Sequence, residues 1–156
     1  MVSEECDRFD VLNCWFETTQ GMRVAAAFTK ELQLVCEYMA GDILLQLGEF
    51  NNMQWLPLLN YRQKILVSPS KHAQHTNFLS LIENLALDKN SIDCILAPLT
   101  LEMFADENYP LDEIDRVLKP HGFVIIFGIN PFSFWGAAAR LKYIPYLSES
   151  VIKLRQ

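Results

Sequence analysis

The sequence predicts an α/β domain built on a mainly parallel β-sheet. Short, almost continuously apolar runs, each ended by glycine, proline or serine, are typical of strands buried on both faces of such a sheet. These runs alternate with segments whose apolar residues recur at helical spacing, as in βαβ units. A chain of 156 residues is long enough for one hydrophobic core and too short for two, so we expect a single domain.

The first predicted helix and strand lie before the first strand-ending glycine. The helix is indicated by an apolar stripe at helical spacing, formed by Val24, Phe28, Leu32, Val35 and Met39. Gly41 is the predicted C-cap of this helix, because glycine adopts the left-handed conformation that ends helices. The apolar run from Ile43 to Leu47, which ends on Gly48, is the predicted first strand.

The middle of the chain contains three further strand candidates. After a helix-compatible stretch, Met53 to Leu59, the run Lys64 to Val67 is the predicted second strand. The short run Phe78 to Ile82 is compatible with a third strand or with a helical turn, because it is too brief to show a period. Ile92 to Ala97, ended by Pro98, is the predicted fourth strand.

One more helix and the most apolar strand follow. The helix is predicted to begin at Pro110 and to carry on one face Leu111, Ile114, Val117 and Leu118. Residues 119–122, with sequence KPHG, should end it, and Phe123 to Ile129 is expected to be a buried strand that Asn130-Pro131 ends.

Composition excludes several classes of function. A formal net charge of −6 and an isoelectric point near 5.0 disfavour nucleic-acid binding, because no cluster of lysine or arginine offsets them in the sequence. The longest apolar run is far shorter than the roughly 18 residues of a membrane helix, so no membrane contact is expected. Four cysteines without metal-ligand spacing indicate reduced thiols and a cytoplasmic protein.

The most specific motif lies between residues 91 and 127. It consists of the strand Ser91 to Leu96, Leu101-Glu102, the helix Leu111 to Leu118, residues 119–122 and the last apolar strand. This order resembles the small-molecule branch of the class I S-adenosylmethionine-dependent methyltransferase family. Two residues depart from the family pattern, since Met103 stands where histidine is frequent and His121 replaces the first of two glycines.

The resemblance implies a Rossmann-like, doubly wound, mainly parallel sheet with flanking helices, lacking the family's last two strands as in a C-terminally truncated member. The expected division of the single domain 1–156 is a lid segment (1–22), a core (23–131) and a C-terminal helix and tail (132–156). The fifth strand would then be an unpaired apolar edge, which soluble proteins usually cover. We therefore expect either a truncated chain that is poorly soluble as a monomer or pairing of this edge with a second copy or a partner chain. The short segment Ser148 to Gln156 is a further candidate to cover the edge.

The family's cofactor, S-adenosylmethionine, implies a set of binding residues at strand ends. The loop after the first strand keeps one glycine, and Ser68 stands where the family has an acidic residue for the ribose hydroxyls. Residues 83–87 resemble the loop beside the adenine. The expected cofactor contacts are therefore Leu47, Gly48, Glu49, Phe50, Ser68, Asn84, Leu85 and Pro98.

No residue is identified as catalytic, because methyl transfer from a sulfonium depends mainly on positioning an in-line nucleophile. The resemblance implies substrate contacts from Trp15, Phe16, Thr18, Asn130 and Trp135, although aromatic side chains are equally suited to a core or an interface. His72 and His75 have a spacing compatible with a metal pair but no third ligand, so no metal is expected. Glu102 is interpreted as a capping or solvated carboxylate rather than a ligand contact.

Two functions therefore remain open. The first is a methyltransferase acting on a small molecule or another acceptor that the sequence does not identify. The second is a methyltransferase-like binding or regulatory module of weak or absent activity, which acts through a protein partner. A nucleotide-binding oxidoreductase is the least favoured, because both its glycine fingerprint and its ribose acid are absent.

Overall fold

A computed structural model describes residues 2–104 and 108–130 of the chain. Its single sheet has five parallel strands in the spatial order β3-β2-β1-β4-β5. The strands are β1 (Ala40–Leu47), β2 (Asn60–Ser68), β3 (Phe78–Leu79), β4 (Ile92–Pro98) and β5 (Leu118–Phe127). Because the chain moves outward from β1 first to one side and then to the other, the strand order reverses at β1, where α/β sheets bind ligands.

In the described residues, three α-helices flank the sheet, namely α1 (Val2–Phe16), α2 (Thr19–Val35) and α3 (Asn108–Val117). The turn between α1 and α2 is tight: a Cβ built on Gly21 would lie 2.1 Å from the Trp15 carbonyl oxygen. Thr18 caps α2, because its hydroxyl accepts a hydrogen bond from the Gly21 amide at 3.1 Å. Glycine at position 21 therefore allows the two helices to approach closely.

Two predicted helical features differ in the structure. Helix α2 ends at Val35, which is 42% exposed, and a short 3₁₀ helix, Cys36–Tyr38, follows it. Gly41 is therefore not a C-cap but the second residue of β1, because pairing with β2 already begins at Ala40. Met39 is buried but lies outside the helix.

Around the other strands, too, the structure shortens predicted helical stretches or assigns their residues to the sheet. The helix-compatible stretch from Met53 to Leu59 contains only the 3₁₀ helix Leu56–Leu58, and the stretch from Phe78 contributes a two-residue strand. Leu118, predicted on a helix face, is the first residue of β5 and pairs with Ile92. Residues that local periodicity assigns to helices can thus belong to strands, because pairing in the sheet overrides the local preference.

The prediction that Phe123 to Ile129 is a buried strand is wrong. The strand ends at Phe127, and Phe123, Val124 and Ile126 are 49%, 38% and 42% exposed. The reason is its place in the sheet, since β5 is an edge strand that pairs with β4 alone within the described residues. Within the described residues β5 is thus at the edge of the sheet, as expected, but its apolar side chains are not buried as expected.

A single hydrophobic core lies on the two central strands. Leu44 and Leu45 of β1 and Ile95 and Leu96 of β4 are fully buried, and they pack with residues of all three helices. The predicted C-terminal helix and tail, residues 132–156, lie outside the described residues, as does Trp135.

Candidate functional site

The candidate site lies at the carboxyl ends of β1, β2 and β4, where the strand order reverses. Gly48, immediately after β1, has a φ of +95°, a conformation that other residues rarely adopt. The buried Thr100 hydroxyl, just beyond β4, donates a hydrogen bond to the Leu47 carbonyl oxygen at 2.9 Å. The ends of the two strands are thereby held together.

An aromatic cluster covers Gly48. A Cβ built on this glycine would lie 2.6 Å from Cζ of Phe50, whose side chain is fully buried. The Phe50 ring packs against Phe16 of α1 at a centroid distance of 4.7 Å, and Phe16 in turn lies 6.1 Å from Trp55. The space directly above the strand-ending glycine is therefore filled by a phenylalanine side chain.

A buried polar pair fixes the loop between β1 and the 3₁₀ helix. Gln46 accepts a hydrogen bond from the Trp55 indole N–H at 2.8 Å and donates to the Gly48 carbonyl oxygen at 2.9 Å. Both side chains are fully buried, so these bonds satisfy groups that would otherwise be costly to bury. The sequence patterns do not predict this pair, because it joins a residue of β1 to one nine positions later in the irregular segment that follows.

Glu49 is a buried carboxylate with one oxygen in use. Its side chain is 3% exposed, and Oε1 accepts hydrogen bonds from the backbone amides of Gln74 and His75 at 2.9 and 2.8 Å. The His75 ring nitrogen Nδ1 lies 3.3 Å from the same oxygen. The other oxygen, Oε2, is buried and has no hydrogen-bond partner within the described residues.

Ser68 ends β2 at the same edge of the sheet as Glu49. Its hydroxyl accepts a hydrogen bond from the Ser70 amide at 3.2 Å, and the residue is 1% exposed. The Ser70 hydroxyl donates in turn to the Asp10 carboxylate of α1. Together with Glu49, these contacts fold the loop after β2 back over the ends of β1 and β2.

The predicted adenine-side residues differ in exposure. Asn84 is exposed, whereas Leu85 is buried and its amide donates to Glu113 of α3 at 2.7 Å. An ion pair with Arg116 is the main reason why the pKa of the Glu113 carboxyl is lowered. The Leu85 amide is thus already paired, and of the two residues Asn84 is the one that faces solvent.

The end of β4 carries a second unusual backbone conformation. Pro98 is buried, and Leu99 after it has a φ of +54°, rare for a residue with a branched side chain. The Leu99 amide donates to the Phe127 carbonyl oxygen of β5 at 2.8 Å, which holds this conformation in place. Asn90 and His121, at the opposite edge, also have a positive φ, so this conformation alone does not mark the site.

Those predicted substrate residues that the structure describes do not lie around one opening. Phe16 is buried in the aromatic cluster, Trp15 is partly buried, and Thr18 acts as the α2 cap. Asn130 is exposed beyond β5. A substrate role for these residues remains a prediction.

Three other side chains considered in the sequence, those of Glu102, His72 and His75, do not form a metal site in the described residues. Glu102 is 8% exposed and accepts the Ile129 amide at 2.9 Å, which agrees with a capping role. His72 and His75 are exposed and lie in a loop rather than on a helix. Over residues 2–104 and 108–130, no group of three His, Cys, Asp or Glu side chains is arranged to hold a metal ion.

A cavity of about 450 Å³ opens beside the site. Apolar side chains dominate its wall, and Lys64, His75 and Asn51 supply its polar groups. Phe50 and His75 belong both to this cavity and to the surroundings of Glu49, so the cavity adjoins the carboxylate.

In the part of the chain that the structure describes, no helix is long and apolar enough to cross a membrane.

Comparison with known families agrees with this geometry. The sequence model of a methyltransferase domain family matches residues 59–126, which include β2 and β4 and nearly all of β5. Among curated proteins, none matches the sequence significantly.

Several solved structures share the fold. An S-adenosylmethionine-dependent methyltransferase from Thermotoga maritima has 21% identity and a TM-score of 0.63, with 91% of this chain and 68% of that chain covered. One from Methanococcus maripaludis has 14% identity and a TM-score of 0.61, covering 83% and 68%. A chain from the complex of the Haloferax volcanii Trm112 methyltransferase activator with a methyltransferase has 22% identity and a TM-score of 0.59, covering 78% and 60%.

These matches establish the fold and a resemblance to one family. The fold is the Rossmann-like, parallel α/β fold of methyltransferases, as the sequence predicts. The predicted resemblance to the class I S-adenosylmethionine-dependent methyltransferase family is confirmed. The chain spans 60% to 68% of the length of these three structures.

The polar groups at the candidate site fit the hydroxyl groups of the family's cofactor. The unpartnered Oε2 of Glu49 is a buried acceptor at the reversal point of the sheet, where a ligand hydroxyl would satisfy it. The conformation of Gly48 also suits a close backbone approach. The Phe50 side chain occupies the space above Gly48 and must turn away for a ligand to reach it.

Proposed function

We propose that this chain is an S-adenosylmethionine-dependent methyltransferase domain. Its cofactor would lie against Leu47 to Phe50 and Ser68, with the adenine near Asn84 and Leu85 and with Pro98 at the end of β4. The observation that carries the proposal is Gly48, a left-handed glycine at the carboxyl end of the strand where the sheet order reverses. The methyl acceptor is a small molecule or another nucleophile-bearing substrate.

Methyl transfer requires little of the protein beyond positioning the cofactor and the acceptor. When bound, the cofactor supplies an electrophilic methyl group on a sulfonium. The chain's own task is to orient an acceptor in line and to exclude water, which can contribute most of the rate. The buried surroundings of Glu49, Phe50 and Ser68 provide a site from which water is largely excluded.

The candidate acceptor site is the 450 Å³ cavity beside Phe50. Its apolar wall and the ammonium group of Lys64 suit a small molecule with an apolar body and a negative or polar end. The substrate contacts predicted from the sequence, Trp15, Phe16, Thr18, Asn130 and Trp135, do not line this cavity and remain the alternative place for an acceptor.

Calorimetric titration of the full chain tests the proposal. We expect S-adenosylmethionine and S-adenosylhomocysteine to bind with one-to-one stoichiometry and to raise the melting temperature. NAD serves as the control ligand, because it carries the same adenosine moiety and is the cofactor of the oxidoreductase alternative. Binding of NAD, with no binding of either methyltransferase ligand, would contradict the proposal.

A second candidate function is a binding module that acts through a partner chain. The observation that favours it is the edge strand β5, whose exposed apolar residues are Phe123, Val124 and Ile126. One structure that shares the fold comes from a complex of a methyltransferase with an activator protein. Pairing through β5, with a second copy or with another protein, would cover this surface.

Size-exclusion chromatography with light scattering tests self-association through this edge. If β5 pairs with a second copy, the wild type should be dimeric and Ile126→Lys should be monomeric. The matched control is Met22→Lys, because Met22 is similarly exposed at 47% but lies on α2. A wild type that stays monomeric at high concentration would contradict self-pairing.

A further inference from the structure

We propose that Glu49, rather than Ser68, supplies the charged acceptor for the ribose hydroxyls of the cofactor. This inference rests on the proposed function and assigns a role within that site. The resemblance places the ribose acid at the end of the second strand, where this chain has a serine. The structure places a buried carboxylate one residue beyond the adjacent position on the neighbouring strand.

The register of the strands explains how one position can replace the other. Leu47 of β1 pairs with Val67 of β2, so Gly48 and Ser68 follow at the same level of the sheet. Glu49 is the next residue of the β1 chain and lies at the same carboxyl edge. A carboxylate in this loop therefore reaches the region that an acid at the end of β2 would otherwise serve.

The hydrogen bonds of Glu49 leave half of its carboxylate for a ligand. Oε1 is fixed by the amides of Gln74 and His75, which hold the side chain in one orientation. Oε2 is buried without a partner within the described residues, although a buried unpaired acceptor costs about 1–3 kcal/mol. A structural role for the loop accounts for Oε1 alone, whereas hydroxyl donors of a ribose would account for Oε2.

Ser68 is less suited to the same task. Its hydroxyl already accepts the Ser70 amide at 3.2 Å, and it carries no charge to strengthen a further hydrogen bond. The serine instead helps to shape the loop after β2. The two side chains thus have separate roles at the same edge, one structural and one in binding.

Substitution of Glu49 by glutamine tests this inference with little change in size. Glu49→Gln keeps an amide oxygen for the Gln74 and His75 amides but replaces Oε2 with a donor group. We expect S-adenosylhomocysteine to bind roughly 10- to 100-fold more weakly, from the loss of a charged hydrogen bond. Asp93→Asn is the matched control, since Asp93 also accepts a backbone amide, that of Ile43 at 2.9 Å, but at the amino edge.

A second ligand separates binding from loop structure. The wild type should bind S-adenosylhomocysteine much more tightly than its 2′-deoxyribose counterpart, whereas Glu49→Gln should lose most of this preference. If Glu49→Gln weakens both ligands equally, Glu49 only supports the loop and the inference is overturned. Unchanged binding by Glu49→Gln overturns it too. Absence of binding by the wild type would overturn the proposed function and the inference together.

An aspartate at position 68 gives an independent test that does not alter Glu49. If Ser68 occupies the place of the ribose acid, Ser68→Asp should tighten binding of S-adenosylhomocysteine. If Glu49 supplies the acceptor, the second carboxylate adds like charge at the same edge, and binding should weaken several-fold. Tighter binding by a folded Ser68→Asp variant would overturn the inference.

Discussion

The two edges of the sheet differ in how their polar groups are used. At the amino edge, Asp93 accepts the Ile43 amide at 2.9 Å and pairs with Lys119 at 2.8 Å. At the carboxyl edge, a less exposed carboxylate, Glu49, leaves one oxygen unpaired within the described residues. At the amino edge these bonds stabilise the fold, and at the carboxyl edge we propose that the unpaired oxygen serves a ligand. The other buried side-chain polar atom without a partner in the described residues is the Tyr61 hydroxyl, near the amino end of β2.

Two cavities of the described residues also differ in the polar or apolar character of their walls. The amino-edge cavity, of about 560 Å³, is lined by Arg116 and Lys119, each of which is already paired with an acid. The cavity of about 450 Å³ beside Phe50 is mainly apolar and includes His75, whose ring nitrogen lies 3.3 Å from the paired oxygen of Glu49. The apolar cavity is therefore the better candidate for a methyl acceptor with an apolar body.

The largest effect should come from Phe50→Ala. Removing this fully buried ring should lower the free energy of unfolding by about 3–5 kcal/mol, measured by urea denaturation. Phe123→Ala is the control, since Phe123 is 49% exposed on β5 and should cost less than about 1 kcal/mol. Because Phe50 covers Gly48, the same variant should bind S-adenosylhomocysteine more tightly than the wild type. Weaker binding by a folded Phe50→Ala variant would mean that the ring supports the ligand rather than covers its site.

Much of the fold is predictable because sheet strands carry a strong local signal. The runs Ile43 to Leu47 and Ile92 to Ala97 are apolar along their whole length, and both lie within observed strands. Helix ends were harder, since pairing of β1 with β2 from Ala40 onward decides where α2 and its 3₁₀ extension stop. The exposure of Phe123 depends on the edge position of its strand, which hydrophobicity alone does not encode.

The candidate site was predictable only in outline. Gly48 and Ser68 are recognisable from their places after strands, and the structure puts both at the carboxyl edge. The packing of Phe50 on Phe16 and the bond between Gln46 and Trp55 join distant or irregular segments, so no periodicity reveals them. The unpaired oxygen of Glu49 is likewise a property of the folded loop.

The second-largest effect should come from Gly48→Ala. A Cβ at this position meets the Phe50 ring at 2.6 Å in a backbone conformation that disfavours alanine, so we expect a loss of about 3 kcal/mol. Gly128→Ala is the control, because its nearest contact is a Glu102 oxygen at 3.3 Å and its expected cost is below about 1 kcal/mol. Equal melting temperatures for the two variants would show that the carboxyl-edge turn is not tightly constrained.

The smallest effect should come from Asp93→Asn at the amino edge. The ion pair with Lys119 lowers the pKa of the Asp93 carboxyl, so its stabilisation is present above the ordinary aspartate pKa and is lost as pH falls through the lower pKa of the folded state. We expect the variant to be about 1 kcal/mol less stable at neutral pH, with the difference vanishing in acid. Urea denaturation between pH 7 and pH 3 measures it. A difference that grows in acid would contradict this assignment.

The central claim is that the cofactor binds at the carboxyl edge of β1 and β2, and nuclear magnetic resonance tests it most directly. S-adenosylhomocysteine is titrated into the ¹⁵N-labelled full chain while backbone amide shifts are followed. The account predicts large shifts at Gly48, Glu49 and Ser68 and negligible shifts at Asn90 and His121, which line the amino-edge cavity. Shifts confined to Asn90 and His121, or no shifts at all at saturating ligand, would contradict it.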